Sequence, residues 1–345
     1  MNFSKEELVS TPFFYPTIKK LTLFFAISAL LLFADTVHGQ NYTLDEGKKL
    51  FDQEEYEQAR DVLLKVVEKE PNNPEANFLL CKVFLILDDH DQSIKYGEKA
   101  VKLDDSVSNY HLWLGQAYGV QAQKGSKLKA VFRAKKCKGE YEKAILLDST
   151  NVRARIDLMQ YLLMAPGIAG GDKVKAKKQA EITQGIDSLY GAIAWASYWL
   201  HEKDTLKAEY HLRVSARLDT TSDHMAKYQL GFFLVNQKRY YESAEVFEKL
   251  FQEYPDQMSA LYQIGRSYVL AKDSLNKAER CFKQYLQVKP KKGSPSWAGA
   301  HWRLGMAYDL QGKKDSAIAE LEEAVRLDPE NKEFKQTLEE VKKKK

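Results

Sequence analysis

The stretch AGAHWRLGMAYDLQGKKDSAIAELEEAVRLDPEN, residues 298–331, reads as two amphipathic helices meeting at a tight turn around Gly312 to Lys314. Leu304, Tyr308, Leu321 and Ala324 recur at helical spacing and supply the two apolar stripes. Gly305 on the first helix and Ala317 on the second are small where the helices must approach closely. Pro329 ends the second helix, because a proline cannot continue the hydrogen-bond ladder. One such hairpin cannot bury its own apolar face, so it needs neighbours. The rest of the chain supplies them as imperfect copies of the same pattern.

The landmarks Leu304, Gly305, Tyr308, Ala317, Leu321, Ala324 and Pro329 resemble the tetratricopeptide repeat, a helix pair with a period of about 34 residues. The resemblance implies an all-α, right-handed superhelical solenoid of about eight helix pairs, at residues 40–73, 74–107, 108–151, 152–188, 189–222, 224–257, 258–291 and 298–331. Residues 332–345 follow as a cap helix, with Phe334, Leu338 and Val341 on one side and charge elsewhere. The copies from 224 onward carry the pattern well: Leu230, Gly231, Phe247 and Pro255, then Gly265, Tyr268, Phe282 and Pro290. The third opens with Leu114, Gly115 and Tyr118 and then takes in about ten extra residues, 119–129, expected to lengthen the helices or protrude as a turn. In the fourth, Met159, Leu162 and Ala176 flank an insertion at 165–172 holding one proline and three glycines. That composition forbids a continuous helix and predicts a shaped turn, since it lacks the spacing of a phosphate-binding loop. Cys81 falls on the position of Gly305 and Cys137 on that of Ala317, so both read as small buried thiols. The three cysteines are far apart and do not form a disulfide framework.

Residues 1–39 do not fit the repeat. Lys19 and Lys20 precede an apolar run of 13 residues, Leu21 to Phe33, and Val37, His38 and Gly39 offer a cleavage region before Gln40. This is a secretory signal pattern, shorter than the roughly 18 to 20 apolar residues of a spanning helix. Export to a periplasm or to the outside is expected; an uncleaved segment anchoring the chain in a membrane through residues 21–33 is the alternative. The formal charge of +4 is small against 52 basic and 48 acidic side chains, and the signs are mixed outside the terminal lysine run, which argues against a nucleic-acid surface.

No catalytic constellation stands out. The seven histidines form no HExxH, no CxxC pair exists for zinc, and neither a GxSxG elbow nor a dinucleotide fingerprint is present. No cofactor, metal or small-molecule substrate is expected. Asp followed by Ser or Thr and then a small or apolar residue occurs at positions that include Asp187, Asp204, Asp273 and Asp315; these resemble an O-glycosylation motif of exported proteins in one bacterial phylum, but read first as turn and cap residues. The resemblance points instead to a partner-binding groove lined by the first helix of each repeat. It implies Asn109, Gln116, Arg153, Gln160, Tyr228, Phe232, Asn236, Tyr262, Arg266 and Trp302 as groove residues, with arginine and aromatics as the anchors binding sites favour. The Asn that some members use to grip a terminal carboxylate is replaced by Lys82, Gln116, Gln160, Ser197, Phe232, Arg266 and Met306, so that clamp is absent. The implied function is a non-enzymatic scaffold for a protein or peptide partner. A subunit of an envelope or secretion assembly, acting by homo-oligomerisation, is the alternative.

Overall fold

A computed structural model describes residues 42–123, 127–290 and 293–344. The expected signal segment lies outside them. All regular structure in the described residues is helical, with seventeen α-helices, one 3-10 turn and no strand. The chain divides into two compact units, one ending at His201 and the other beginning at Glu202. The first holds α1 (Leu44–Asp52), α2 (Tyr56–Lys69), α3 (Pro74–Ile86), α4 (His90–Leu103), α5 (Ser108–Ala122), α6 (Lys127–Leu147), α7 (Val152–Met164), the 3-10 turn Gly167–Ala169, α8 (Lys173–Ile186) and α9 (Ser188–His201). The second holds α10 (Thr205–Leu218), α11 (Met225–Asn236), α12 (Tyr240–Glu253), α13 (Met258–Ala271), α14 (Leu275–Tyr285), α15 (Trp297–Leu310), α16 (Lys314–Leu327) and α17 (Lys332–Lys343). Within each unit helices pack on their chain neighbours, and first helices also meet the first helix of the next repeat, as α1 meets α3, α5 meets α7 and α13 meets α15.

Each hairpin is set by two local devices. The first is a cap: Asn73, Asp89, Asn151, Asp204 and Ser296 each accept a backbone N–H of the first helical turn. Asp187 and Asp204, two of the Asp-Ser/Thr sites, do so through Tyr190 N and Lys207 N. The second is the turn between paired helices. One residue takes the left-handed conformation, and the next donates its N–H to the carbonyl five residues back. Lys313 N donates to Tyr308 O at 2.9 Å, Asp89 N to Phe84 O at 2.9 Å and Arg239 N to Leu234 O at 2.9 Å. The left-handed residue is Gly312 in the last repeat, but Glu54, Asp88, Lys238 and Lys272 hold the same position elsewhere with φ between 55° and 63°. Beyond Lys272 the turn gains a residue, Ser274, also at positive φ, which shifts α14 by one position relative to the other second helices.

Packing inside a hairpin rests on a small residue facing a large one. A Cβ on Gly305 would lie 2.7 Å from Leu321 Cγ, and one on Gly231 only 2.2 Å from Phe247 Cζ. In the second repeat the pair is inverted: Cys81 takes the place of Gly305, and Gly97, opposite it where Leu321 stands, would meet the Cys81 sulfur at 2.9 Å if it bore a Cβ. All three cysteines are free and buried, and burial pushes the Cys81 and Cys137 thiols up to about 12. Neighbouring repeats are clipped together by the repeat's tyrosine. Tyr268 OH donates to Glu248 at 2.7 Å and accepts from Lys277 at 3.2 Å, Tyr118 meets Glu98 and Lys136 in the same way, and Tyr308 reaches Glu279 at 3.2 Å.

The two divergent repeats resolve simply. Residues 119–122 and 127–129 extend α5 and α6, so the extra residues lengthen the helices. Residues 165–172 form a turn stitched to α7, with Asp172 N on Leu162 O at 2.9 Å and Tyr161 OH on Ala169 O at 2.5 Å. Gly170 there has φ of +92°, and a Cβ on Gly171 would overlap Ala165 O at 1.8 Å. At the far end α17 buries Phe334, Leu338 and Val341, as a terminal cap must.

Gly305→Leu is expected to cost about 1 to 3 kcal/mol or more by overpacking Leu321, whereas Lys313→Ala, losing an exposed contact to Glu279, stays within about 0.5 kcal/mol. Equal melting shifts for the two would reject this register. Lys238→Gly relieves a left-handed lysine and is expected to raise stability by up to about 1 kcal/mol in denaturant titration; a loss would show that the lysine stem contributes more than its backbone costs.

Candidate functional site

In the first unit the first-helix face is a row of polar contacts running from repeat to repeat. Lys48 on α1 pairs with Glu75 on α3 at 2.8 Å, which raises the Lys48 pKa through that hydrogen bond. Gln116 on α5 donates to Asp157 on α7 at 2.7 Å, and Arg153 lies 3.6 Å from the same carboxylate one helical turn away. Asp157 is buried, and burial holds its carboxyl above the usual value despite Arg153 and Gln116. Between these two sets sits Lys82 on α3. Its ammonium lies 4.0 Å from the Phe51 ring centre, 5.0 Å from Trp113 and 5.6 Å from Phe78. α1, α3 and α5 each contribute a wall, and burial lowers the Lys82 pKa while the charge of Asp52 opposes the change. Asn109 is exposed, and Gln160 is half-buried on the same helix as Asp157.

The second unit places aromatics along the equivalent line. Tyr228 and Phe232 on α11 both rest on Phe247, with ring centres 5.6 and 5.8 Å away. Tyr262 on α13 rests on Phe282 and Tyr285 at 5.6 and 5.7 Å. All three are half-buried against the core, with Asn236 exposed and Arg266 half-buried beside them in sequence register. Trp302 does not line an open face. It is 7% exposed, stacks on Phe334 with ring centres 5.3 Å apart, and donates its indole N–H to Thr337 at 3.0 Å. The cap helix covers it, because the apolar end of the last repeat needs an aromatic to close against.

Sequence reasoning singled out Gln116 and Arg153 but missed Asp157, which already engages both. It noted Lys82 only as a replacement and missed Phe51, Phe78 and Trp113 around it. Repeat register offered a signal, since Phe78 stands where Trp302 does and Trp113 and Asp157 where Arg303 does. Among the described residues no group of three or more His, Cys, Asp or Glu is placed to hold a metal ion, and no described helix is long and apolar enough to cross a membrane.

Comparison with known proteins follows the same geometry. Models described as tetratricopeptide repeat match residues 44–108, 225–256 and 298–331. No curated protein matches the sequence. Among solved structures, the human IFIT1 dimer with PPP-AAAA is similar at a TM-score of 0.50 and 16% identity, covering 86% of this chain and 72% of that one. A thermophilic tetratricopeptide repeat protein of Thermus thermophilus is similar at a TM-score of 0.48 and 14% identity over 56% of this chain and 97% of its own. A tetratricopeptide repeat protein from Parabacteroides merdae reaches 0.46 and 12% identity over 86% and 96%. At these identities the likeness concerns the fold alone.

The buried carboxylate yields a pH prediction. A carboxyl raised above its ordinary 3.8 in the fold imposes no cost below that value and a growing one as pH rises through its folded pKa. Asp157→Asn keeps an oxygen for Gln116 and removes the charge. The variant is expected to melt at or above the native chain at pH 7 and to lose that advantage near pH 3. Destabilisation at pH 7 alone would show that the pairing with Arg153 outweighs burial.

Proposed function

Because the chain belongs to the tetratricopeptide repeat family, whose repeats build protein–protein interaction scaffolds, we propose that it is a non-enzymatic scaffold holding a peptide or helix of a protein partner against its first-helix face. The observation that carries this is the half-buried row Tyr228, Phe232 and Tyr262, which gives a rigid apolar bed with exposed Asn236 at its edge. Aromatics with few rotatable bonds bury area at low entropic cost, and an arginine adds directional pairing to acidic groups. Arg266 takes that role in the second unit. Arg153 has it in the first only by sharing with Asp157, so it contributes less than its sequence position implies. In this reading no cofactor or nucleic acid takes part. The signal pattern at residues 1–39 supports work in a periplasm or outside the cell, with membrane contact only where that segment stays attached.

A second reading, a subunit of an envelope or secretion assembly acting through oligomerisation, draws on the apolar side chains left bare around the fourth repeat. Met164, Ile168 and Val174 are 61%, 76% and 81% exposed.

A photo-crosslinking residue placed at exposed Asn109 or Asn236, in the protein's own cells, separates the two. On the scaffold reading one partner is captured, and Arg266→Ala reduces its capture by about tenfold. Arg266 is the cleaner variant, since alanine at the aromatics also opens the core. Self-crosslinks alone, unchanged by the substitution, would favour the assembly reading.

A further inference from the structure

Among the charged groups facing along α1 to α7, Lys82 is unmatched. Lys48 has Glu75 and Arg153 has Asp157, but Lys82 touches three aromatic rings and no carboxylate or carbonyl acceptor among the described residues. An ammonium over a ring face gains electrostatic attraction from the ring, which holds it in place without satisfying its three N–H donors. Its long side chain is therefore fixed, and part of its hydration shell is replaced by Phe51, Phe78 and Trp113 before any ligand arrives. Ordering and desolvation are the main costs of forming a buried ion pair, and here both are largely met by the fold.

We propose that Lys82 and its three rings form a binding site for a side-chain carboxylate of a partner peptide, an Asp or Glu flanked by an apolar residue. The proposal rests on the scaffold reading, since it needs a peptide on the first-helix face. The carboxylate supplies the acceptor that the protein withholds, and the flanking apolar group covers the ring edges. An acid at this point meets a cation with no competing ion pair at hydrogen-bond distance. Only the exposed Asp52, whose charge already acts on Lys82, opposes it.

The test uses an array of short, randomised peptides with both termini blocked, probed with the full chain and with Lys82→Met, Lys82→Arg and Asp52→Asn, followed by affinity measurement on the binders. Binders are expected to carry Asp or Glu beside an apolar residue. Lys82→Met should weaken them about tenfold or more, Lys82→Arg should retain most of the affinity, and Asp52→Asn should tighten it. Methionine fits an aromatic surround, so an unchanged melting temperature for Lys82→Met shows that the loss is not unfolding. Binders that keep their affinity in Lys82→Met, or after Glu→Gln replacement in the peptide, overturn the carboxylate site while leaving the scaffold reading intact. Binding seen only with peptides bearing a free C-terminal carboxylate overturns the side-chain assignment in favour of a terminal one. A chain that binds no peptide at all sinks both.

Discussion

The hairpins that carry Gly47, Gly97, Gly115, Gly231, Gly265 and Gly305 depend on letting two helices come close at one point. Where Gly305 meets Leu321 or Gly231 meets Phe247, a single added carbon would overlap the opposing side chain. The large residue fills the space left by the small one, and interiors packed at crystal density have little slack to absorb a change. Cys81 and Gly97 show that the constraint concerns the summed volume and not which helix carries the glycine. Once that contact is fixed, the turn and the cap have only to deliver the second helix at the right angle. The left-handed residue with its long-range carbonyl bond does so in repeat after repeat.

A hairpin built this way leaves its outer faces to its neighbours, and each face is used differently. The tyrosine hydroxyls clip one repeat to the next through Glu248 and Lys277, or Glu98 and Lys136. The first-helix face adds links of its own, Lys48 to Glu75 and Gln116 to Asp157. In the first unit it is mostly charge already matched, with the caged Lys82 as the exception. In the second unit it is an aromatic bed. A stacked helical scaffold tolerates such variety because each repeat contacts only its neighbours, so one first helix can change without disturbing distant repeats.

Much of this was legible in the chain. The helical repeats, the close-contact glycines, the cap helix and the break in the α-helix at 165–172 all follow from short-range spacing and residue chemistry. The left-handed turn was legible only at Gly312. At Lys238 or Asp88 the same backbone state is imposed by the hairpin, and nothing in a lysine or aspartate announces it. The candidate face was read by register alone, which found Arg153 and Gln116 but not the Asp157 that binds them. Trp302 illustrates the opposite error, because register placed it on the open face while the cap helix claimed it for packing.

What the sequence determined by itself was the periodic part: an all-helical chain of repeated pairs, each needing a neighbour, because apolar spacing and small residues act within one or two turns of helix. What tertiary structure alone decided was which side chains share a space across repeats. Lys82 stands 31 positions from Phe51 and 31 from Trp113 in the chain, yet the stacking of α1, α3 and α5 brings both rings to its ammonium. Contacts of that kind depend on how far one repeat is rotated and shifted on the next. That offset is set by the fit of whole helix faces, which no single residue encodes.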